Sequence, residues 1–347
     1  MIGPATSLYL DVTRVVACFF VVCTHVHQLT DYAPLEIPSK FGRIGVMVFF
    51  VISGAVIANS TIMGRKRWRE YAAARAARIY AVSAPAIWLS FAISLAFPGI
   101  HPSQAYTTVQ TYLLAHVFYT QSWSFFLPVP LNAPFWSLCY EVWYYVAFGL
   151  FLFAPRGLRW TSATAAMVIA GPAIILLLPV WLLGVLIALV PLRIPSATIA
   201  FWVSGAVIVA LGVVDMRPWV VEVLKAAFPQ IWFVGFAQSF PFDYLVGAAT
   251  AVHFVAFAQA RPAHLVALLD RCRGAIAASA QRTYSVYLFH MPLLILMRHL
   301  GPGAHPLLLL AGTIAASAAL AEITEAQAPR LRAALAPRRV GRSSRAA

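Results

Sequence analysis

The sequence predicts an all-α fold, a polytopic membrane bundle of about ten transmembrane helices. Hydrophobic residues make up 61% of the 347 positions and charged residues only 10%, whereas globular domains carry roughly 25% charged residues. Apolar runs of about 18 or more residues recur along the chain, and each can cross a hydrocarbon core of roughly 30 Å as a helix. The strands of a membrane barrel would alternate apolar with polar residues, which the run 174–190 does not.

The basic residues lie between the apolar runs, so their positions predict how the chain crosses the membrane. The net charge is +14. The basic clusters are Arg65, Lys66, Arg67, Arg69, Arg75 and Arg78, then Arg156 and Arg159, then Arg261, Arg271 and Arg273, and finally the arginines of 330–345. Loops rich in Lys and Arg stay in the cytoplasm, which predicts a cell-membrane protein with both termini cytoplasmic. We assign the charge to topology and to contact with anionic membrane lipid, and not to nucleic acid.

Apolar length and these charges predict the individual spans. The spans cover residues 9–28, 44–63, 79–97, 135–153, 198–214, 231–257, 284–300 and 305–323, with two short helices within 163–190. Pro172 and Pro179 divide that last run because proline breaks helices. An outer segment without Lys or Arg, 98–134, follows the third span. The membrane-embedded domain then occupies 1–329, and the arginine-rich tail 330–347 is expected to be a disordered cytoplasmic segment.

The first apolar run and the cysteines both restrict the class of protein. Asp11 and Arg14 lie within that run and no basic region precedes it, which predicts a retained helix and not a cleaved signal peptide. The four cysteines lie in apolar runs or in one basic loop, without the spacing of metal ligands. Neither a disulfide framework nor a metal site is expected.

Ionisable side chains inside the predicted spans are functional candidates, because each costs free energy in lipid. Arg14 and His25 are eleven residues apart, which returns them to within roughly 20° of one helix face, about 16 Å apart along the axis. Histidine suits general-base chemistry near neutral pH, whereas His27 points away from this face. The alternative is structural: Arg14 pairs with Asp11, and His25 is a hydrogen-bonded interface residue.

Two further motifs follow in the second span and the basic loop after it. Glycines and Ser53 within residues 42–54 would let the second helix pack closely against a neighbour. Arg75 and Arg78 share a helix face, and their forked guanidinium groups suit phosphate. Anchoring of the loop in the cytoplasm is an equally valid interpretation of this arginine pair.

The fourth predicted span, 135–153, and the ninth, 284–300, carry the remaining polar groups. Ser137 and Glu141 are one turn apart on the same face, and Glu141 is predicted at a depth similar to that of His25. A buried carboxylate there would orient a histidine, bind a sugar hydroxyl or pair with an arginine, and the sequence leaves all three roles open. The ninth span places Tyr284, Tyr287 and His290 on neighbouring faces, and Asp243 lies in the eighth.

Taken in order, these motifs resemble the acyltransferase 3 family of integral membrane acyltransferases. The residues that carry the resemblance are Asp11-x-x-Arg14 with His25, Gly45-Val46 with Phe49-Phe50-Val51-x-Ser53-Gly54, Arg75-x-x-Arg78-Ile79-Tyr80, Trp136-Ser137-Leu138-x-x-Glu141, and Tyr284-Ser285-x-Tyr287-Leu288-x-His290-x-Pro292. The usual Glu-x-Pro near the end of the last helix is missing, so Glu322 and Glu325 are assigned no role.

The resemblance implies transfer of an acyl group, often acetyl, from cytoplasmic acyl-CoA to a hydroxyl of a glycan, a lipid-linked sugar or a small acceptor. Acyl-CoA would be a co-substrate, and no permanently bound cofactor is implied. Arg14, Arg75 and Arg78 would receive the coenzyme. His25 would be the catalytic residue, and Glu141 is a second catalytic candidate. The residues expected to contact substrate are Trp136, Ser137, Tyr287 and His290.

A proton-coupled transporter is the alternative function that uses the same buried groups. His25, Glu141 and Asp243 would then form a proton relay inside a cavity. The sequence shows no inverted repeats of the kind that many transporters have. A non-catalytic scaffold would leave the ordered arginine and histidine motifs without explanation.

Overall fold

The computed structural model is built of helices throughout the residues that it describes, 3–101 and 129–335. No strand occurs in either of these ranges. Helices pair their backbone groups within one segment, which a chain surrounded by hydrocarbon requires. The predicted helical membrane bundle is therefore confirmed.

The first part of the chain forms the helices that later enclose the site. These are α1 (Pro4–Thr30), the short α2 (Glu36–Lys40), α3 (Gly42–Ala58) and α4 (Trp68–Ala96). Helix α1 begins with proline at its first turn, where a missing N–H costs nothing. It ends at Asp31, which adopts a left-handed φ of 49°. A π-helical turn, Asn59–Met63, continues α3.

The second part contributes the two remaining helices that enclose the site and the outer layer of the bundle. Its helices are α5 (Trp136–Phe153), α6 (Arg159–Ala170), α7 (Pro172–Leu189), α8 (Ala197–Val214), α9 (Arg217–Ala227), α10 (Phe240–Ala260), α11 (Ala263–Arg271), α12 (Arg273–Leu300), α13 (Pro306–Thr324) and α14 (Ala328–Leu335). Four 3-10 turns accompany them, Ala33–Leu35, Ala133–Phe135, Pro229–Ala237 and Glu325–Gln327.

Most of the predicted spans recur in order, although several differ in length. The predicted span 284–300, which lies within α12, is not among the segments that length and apolar composition select. Eight helical segments of the described chain are long and apolar enough to cross a membrane. The run 163–190 breaks at Gly171, where φ is 102°, into helices of 12 and 18 residues, and Pro179 lies inside the longer one. The 12-residue α6 reaches only about 18 Å. One full span and one short helix therefore replace the predicted pair of short helices.

Two other boundaries differ from the prediction. Helix α4 begins at Trp68 and not near residue 79, because the alanines and arginines of its first turns are good helix formers. The tail is not disordered from residue 330, since Ala328–Leu335 is helical and packs against α4. Residues 336–347 and most of the outer segment 98–134 lie outside the described residues.

Small residues hold α3 against two of its neighbours. An ideal Cβ on Gly54 would lie 2.1 Å from the Trp181 carbonyl oxygen of α7, and one on Gly184 would lie 2.0 Å from the Val51 carbonyl oxygen of α3. The two helices therefore touch backbone to backbone, as small residues permit in membranes. A Cβ on Gly45 would lie 2.8 Å from the Ala17 carbonyl oxygen of α1. The predicted close packing of the second span is confirmed.

Five helices form a closed ring around the region of interest. Helix α1 packs on α3 and on α12, α3 packs on α5, α5 packs on α4, and α4 packs on α12. Helices α7 and α10 cover the far side of α3, α8 packs on α10, and α13 covers α12 and α1. The ring is built from the spans that carry the arginine, glutamate and histidine motifs.

The close crossing of α3 and α7 at Gly54 predicts that a larger residue there lowers stability. Gly54→Ala should lower the unfolding temperature of the purified protein in detergent, because the new methyl group meets backbone that cannot move aside; overpacking typically costs about 1–3 kcal/mol. Gly274→Ala is the matched control, since nothing lies within 4 Å of a Cβ there. Helix propensity favours alanine by up to about 1 kcal/mol, so the control should unfold at or above the parent temperature. Equal behaviour of the two variants would contradict the packing argument.

Candidate functional site

A cavity of about 210 Å³ lies inside the ring of five helices. Its polar lining consists of Arg14, Ser53, Arg75, Arg78, Ser137, Glu141, Tyr145, Thr283, Tyr284 and Tyr287. The structure therefore brings together six predicted site residues that are separated by up to 273 positions in the chain. Three of the others, His25, His290 and Trp136, do not line the cavity.

One end of the cavity is cationic. Arg14 donates to the Asp11 carboxylate across 3.2 Å, the pairing that the structural interpretation of this motif expected. Arg75 lies over the ring of Tyr145, with 5.9 Å from its guanidinium carbon to the ring centre, and Arg78 lies 5.4 Å from the ring centre of Tyr284. Aromatic faces stabilise cations without neutralising them. This end therefore keeps positive charge available for an anion.

Arg75 also has an unused donor. Its Nε atom is buried and has no hydrogen-bond partner among the described residues. A buried N–H without a partner costs free energy, and it is a charge-assisted donor for any phosphate oxygen that comes within reach. Among the cavity-lining residues, three guanidinium groups face one carboxylate, Glu141. The net charge of the lining favours an anionic ligand.

Glu141 lies next to the cationic end of the cavity. Its carboxylate is within hydrogen-bonding reach of the Ser53 and Tyr145 hydroxyls and within Coulombic reach of Arg78 and Arg14. The two hydroxyls are 2.9 Å apart. Of the three roles that the sequence left open for Glu141, charge complementation of arginines is the one with a structural counterpart.

Hydroxyl groups occupy the opposite end of the cavity. The hydroxyl oxygens of Ser137 and Tyr287 are 2.7 Å apart, and Tyr287 donates to the Pro134 carbonyl oxygen at 3.1 Å. Ser137 and Tyr145 are eight residues apart on α5, which is about 12 Å along the helix axis. The cavity thus runs about that distance from the arginine end to the hydroxyl end.

Two histidines lie just beyond the hydroxyl end. The rings of His25 and His290 are 5.2 Å apart between centres, and the rings of Tyr287 and His290 are 5.9 Å apart. His290 is fully buried, and its Nδ1–H donates to the Tyr287 carbonyl oxygen at 2.7 Å. Its Nε2 has no hydrogen-bond partner among the described residues. Tyr287 and His290 therefore connect the cavity to His25.

The tautomer of His25 follows from its partner. Its Nδ1 lies 2.9 Å from the Gln28 Oε1 atom, and because an amide oxygen only accepts, Nδ1 carries the proton. The lone pair of His25 then lies on Nε2, where a general base needs it. Gln28, and not Glu141, holds the ring. His27 instead lies 3.2 Å from the Tyr32 carbonyl oxygen through its Nδ1, away from this cluster as the spacing predicts.

A family comparison supplies the class of chemistry for this site. The family model described as an acyltransferase domain matches residues 7–322. The chain belongs to the acyltransferase 3 family. It matches no curated protein and no solved structure. The match includes every residue that lines the cavity and both histidines, so the cavity belongs to a membrane acyltransferase, whereas α14 follows the matched residues.

Trp136, predicted to contact substrate in this acyltransferase, packs in an aromatic cluster beside the cavity. Its ring stacks on Phe236 with 4.9 Å between centres, and the Arg43 guanidinium lies 4.9 Å from the centre of the same ring. Its side chain is almost fully buried. Trp136 therefore supports the start of α5, from which Ser137 reaches the cavity.

Arg43 is an ionisable residue that the sequence interpretation missed. It forms a two-pronged ion pair with Asp243, at 2.8 Å from Nε to Oδ1 and 2.6 Å from Nη2 to Oδ2. Ser239 also donates to this fully buried carboxylate. Asp243 is thus bound to its own cation outside the cavity lining, and it does not join His25 and Glu141 as the transporter alternative requires. An arginine directly before the predicted span 44–63 was the available signal.

Glu325 was assigned no role, and the structure corrects that. Its carboxylate accepts from the Ser285 backbone N–H at 3.0 Å and lies within Coulombic reach of Arg78 and Arg14. It therefore adds negative charge behind the cationic end of the cavity. Glu322 instead pairs with Arg282 on the exposed surface.

The Arg43–Asp243 pair gives the second prediction. Asp243→Leu should destabilise the protein by about 3–5 kcal/mol, because it leaves a buried guanidinium without its counter-charge. Adding Arg43→Met should restore most of the lost stability, since an apolar pair of similar volume replaces a buried ion pair at little cost. Thermal unfolding in detergent measures both. Lys225→Gln, which breaks an exposed pair with Glu222, should change stability by less than about 1 kcal/mol. A double variant no more stable than Asp243→Leu would contradict this account.

Proposed function

We propose that this acyltransferase moves an acyl group, acetyl in the first instance, from a coenzyme A thioester to a hydroxyl group of a carbohydrate or other hydroxylated acceptor. The observation that carries the proposal is the polarity of one continuous site. Three guanidinium groups line one end of the cavity, and beyond the other end lies His25, whose Nε2 has no hydrogen-bond partner among the described residues. An anionic carrier and a base-dependent transfer need these two features.

The arginine end suits the diphosphate of the coenzyme. Guanidinium groups bind phosphate oxygens through paired, charge-assisted hydrogen bonds. The extended pantetheine arm would then follow the cavity for about 12 Å past Glu141 to Ser137 and Tyr287. The thioester would reach the hydroxyl end, next to the histidines.

The transfer step follows from the groups at that end. His25 Nε2 takes the proton of the acceptor hydroxyl while the oxygen of that hydroxyl attacks the thioester carbonyl carbon. The hydroxyls of Tyr287 and Ser137 lie at this end, and rotation of either one away from its present acceptor would turn its proton toward the developing oxyanion. The carbon–sulfur bond then breaks, the ester is formed, and the imidazolium returns its proton to the departing thiolate. Glu141 complements the charge of Arg14 and Arg78 throughout.

The two ends also suit opposite sides of the membrane. The arginine end lies next to the basic segment 65–69, which the positive-inside rule assigns to the cytoplasm. We therefore propose that both termini are cytoplasmic, that acyl-CoA arrives from that side, and that the acceptor meets His25 in the outer half of the bilayer. The transporter alternative loses support, because Asp243 is already paired with Arg43.

The function is tested by the mass of the product and by His25. Cells with the gene should contain a lipid or surface glycan heavier by one acyl group than cells without it, and mass spectrometry identifies both the group and its carrier. His25→Ala should reduce the rate of product formation by about 10²- to 10⁴-fold, the usual worth of general-base assistance.

His27→Ala is the matched control for that experiment. It removes a histidine from the same helix end, but one that contacts the Tyr32 carbonyl and not the His290 ring, so product formation should stay near the parent rate. If His25→Ala also formed product at the parent rate, the base would have to be another group, with Glu141 next in order. Absence of any acylated product would count against the proposed function itself.

The arginine end is tested by direct binding of acetyl-CoA to the purified protein. Arg75→Gln with Arg78→Gln should weaken binding by about tenfold or more, because two charge-assisted contacts to phosphate are lost. Arg65→Gln with Arg67→Gln removes the same charge from exposed positions of the neighbouring loop and should leave the affinity nearly unchanged. If both double variants lost affinity for acetyl-CoA equally, Arg75 and Arg78 would act only through their general positive charge.

A further inference from the structure

The cation cluster of the site extends beyond the cavity. Lys66 and Arg75 are within Coulombic reach of each other, and Lys66 is likewise within reach of Arg332. Burial increases along this series: Arg332 is exposed, Lys66 is half-buried, and Arg75 lines the cavity with a buried Nε. The three side chains form a line of positive charge from the surface to the arginine end.

Local backbone structure selects Lys66 from its basic neighbours. The π-helical turn Asn59–Met63 and the left-handed Arg65, with φ of 47°, reverse the chain. The Lys66 backbone N–H then donates to the Thr61 carbonyl at 3.1 Å. Arg65 and Arg67 on either side are exposed, whereas Lys66 is half-buried. The turn therefore directs one cation of this loop inward.

The C-terminal helix supplies the second cation. Helix α14 follows the residues matched by the family model, 7–322, and packs on α4. Ala328 at its start packs against the main apolar core. This docking places Arg332 within Coulombic reach of Lys66. Arg330, two residues earlier, lies on the other side of the helix and donates to Gln327. Arg332 thus adds a cation from outside the family-matched residues to the cationic end of the site.

The cluster is incompletely neutralised. The pKa of Lys66 is lowered by partial burial first, and then by repulsion from Arg75 and Arg332. Glu70 attracts Lys66 more weakly, and its carboxylate accepts from the Arg67 backbone N–H at 3.1 Å. Like charges held together in this way raise the local concentration of anions. An anion bound between Lys66 and Arg332 would relieve the repulsion.

The size of the cavity indicates which anion this is. Ligand pockets for drug-sized molecules occupy roughly 300–1,000 Å³, whereas this cavity has about 210 Å³. It suits a pantetheine arm but not the nucleotide of coenzyme A as well. With the diphosphate at Arg14, Arg75 and Arg78, the nucleotide must continue outward, toward Lys66 and Arg332.

We propose that Lys66 and Arg332 bind the ribose 3′-phosphate of the coenzyme A nucleotide. This inference rests on the proposed function. A phosphate monoester carries roughly −1.5 to −2 charges at neutral pH, so it matches two cations. Helix α14 then serves as a part of the donor site that the family-matched residues do not include.

The test compares acetyl-CoA with acetyl-3′-dephospho-CoA, which lacks only that phosphate. Binding of each is measured by calorimetry on the purified full chain in neutral detergent. The parent should bind acetyl-CoA about tenfold more tightly. Lys66→Gln with Arg332→Gln should abolish this preference by weakening acetyl-CoA binding alone, and each single variant should reduce it in part. Unfolding of the double variant at the same temperature as the parent verifies its fold. If the double variant does not fold, the two single variants provide the test.

Two matched variants separate the possible outcomes. Arg330→Gln, on the same helix, should keep the full preference, and Arg75→Gln with Arg78→Gln should weaken both ligands alike. A parent that binds both ligands equally, or a double variant that still prefers acetyl-CoA, would overturn the inference and leave the proposed function intact. A parent that binds neither ligand would instead overturn the proposed function. If the preference for acetyl-CoA disappears in nanodiscs that contain phosphatidylglycerol, Lys66 and Arg332 bind an anionic lipid headgroup. That outcome would also overturn the inference.

Discussion

The cost of charge in hydrocarbon is the constraint on which the rest of this structure depends. An ionisable side chain within a span must face protein and must find a partner there. Asp243 meets this requirement with Arg43, in a buried pair that joins α3 to α10. Glu141 meets it with two hydroxyls and distant guanidinium charge. Arg75 meets it least, because it has an aromatic face and an unpaired Nε but no carboxylate contact among the described residues. The least satisfied group therefore lies in the lining of the cavity.

Close packing on one side of α3 leaves room on the other. Gly54 and Gly184 let α3 and α7 touch through their backbones, where dispersion contacts and not a hydrophobic effect stabilise helix pairs in lipid. The adjoining face of α3 presents Phe49 and Ser53 to the cavity. A rigid crossing behind the cavity wall holds Ser53 against Tyr145, with 2.9 Å between their hydroxyl oxygens. Stability and site geometry thus come from two faces of one helix.

Helix α12 connects the cationic end of the cavity to the two histidines. Tyr284, Tyr287 and His290 follow each other at steps of three residues, and each faces a residue of another helix. Tyr284 lies under Arg78, Tyr287 contacts Ser137, and His290 contacts His25. Because one helix carries all three, helix geometry fixes the order in which the cationic end, the hydroxyl end and the histidines follow one another.

The sequence by itself determined the membrane class and every relation that lies within one helix. Apolar length requires helices in lipid, and a fixed rotation per residue put Ser137 and Glu141 on one face and turned His27 away from His25. Relations between helices were decided by the tertiary structure, because the angle and register at which two helices cross leave no periodic signal in either. The contacts of His25 with His290, of Arg43 with Asp243 and of Glu325 with Ser285 are of this kind. The docking of α14 onto α4 is another, since a polar, arginine-rich segment becomes a helix only when a neighbour packs against its apolar side.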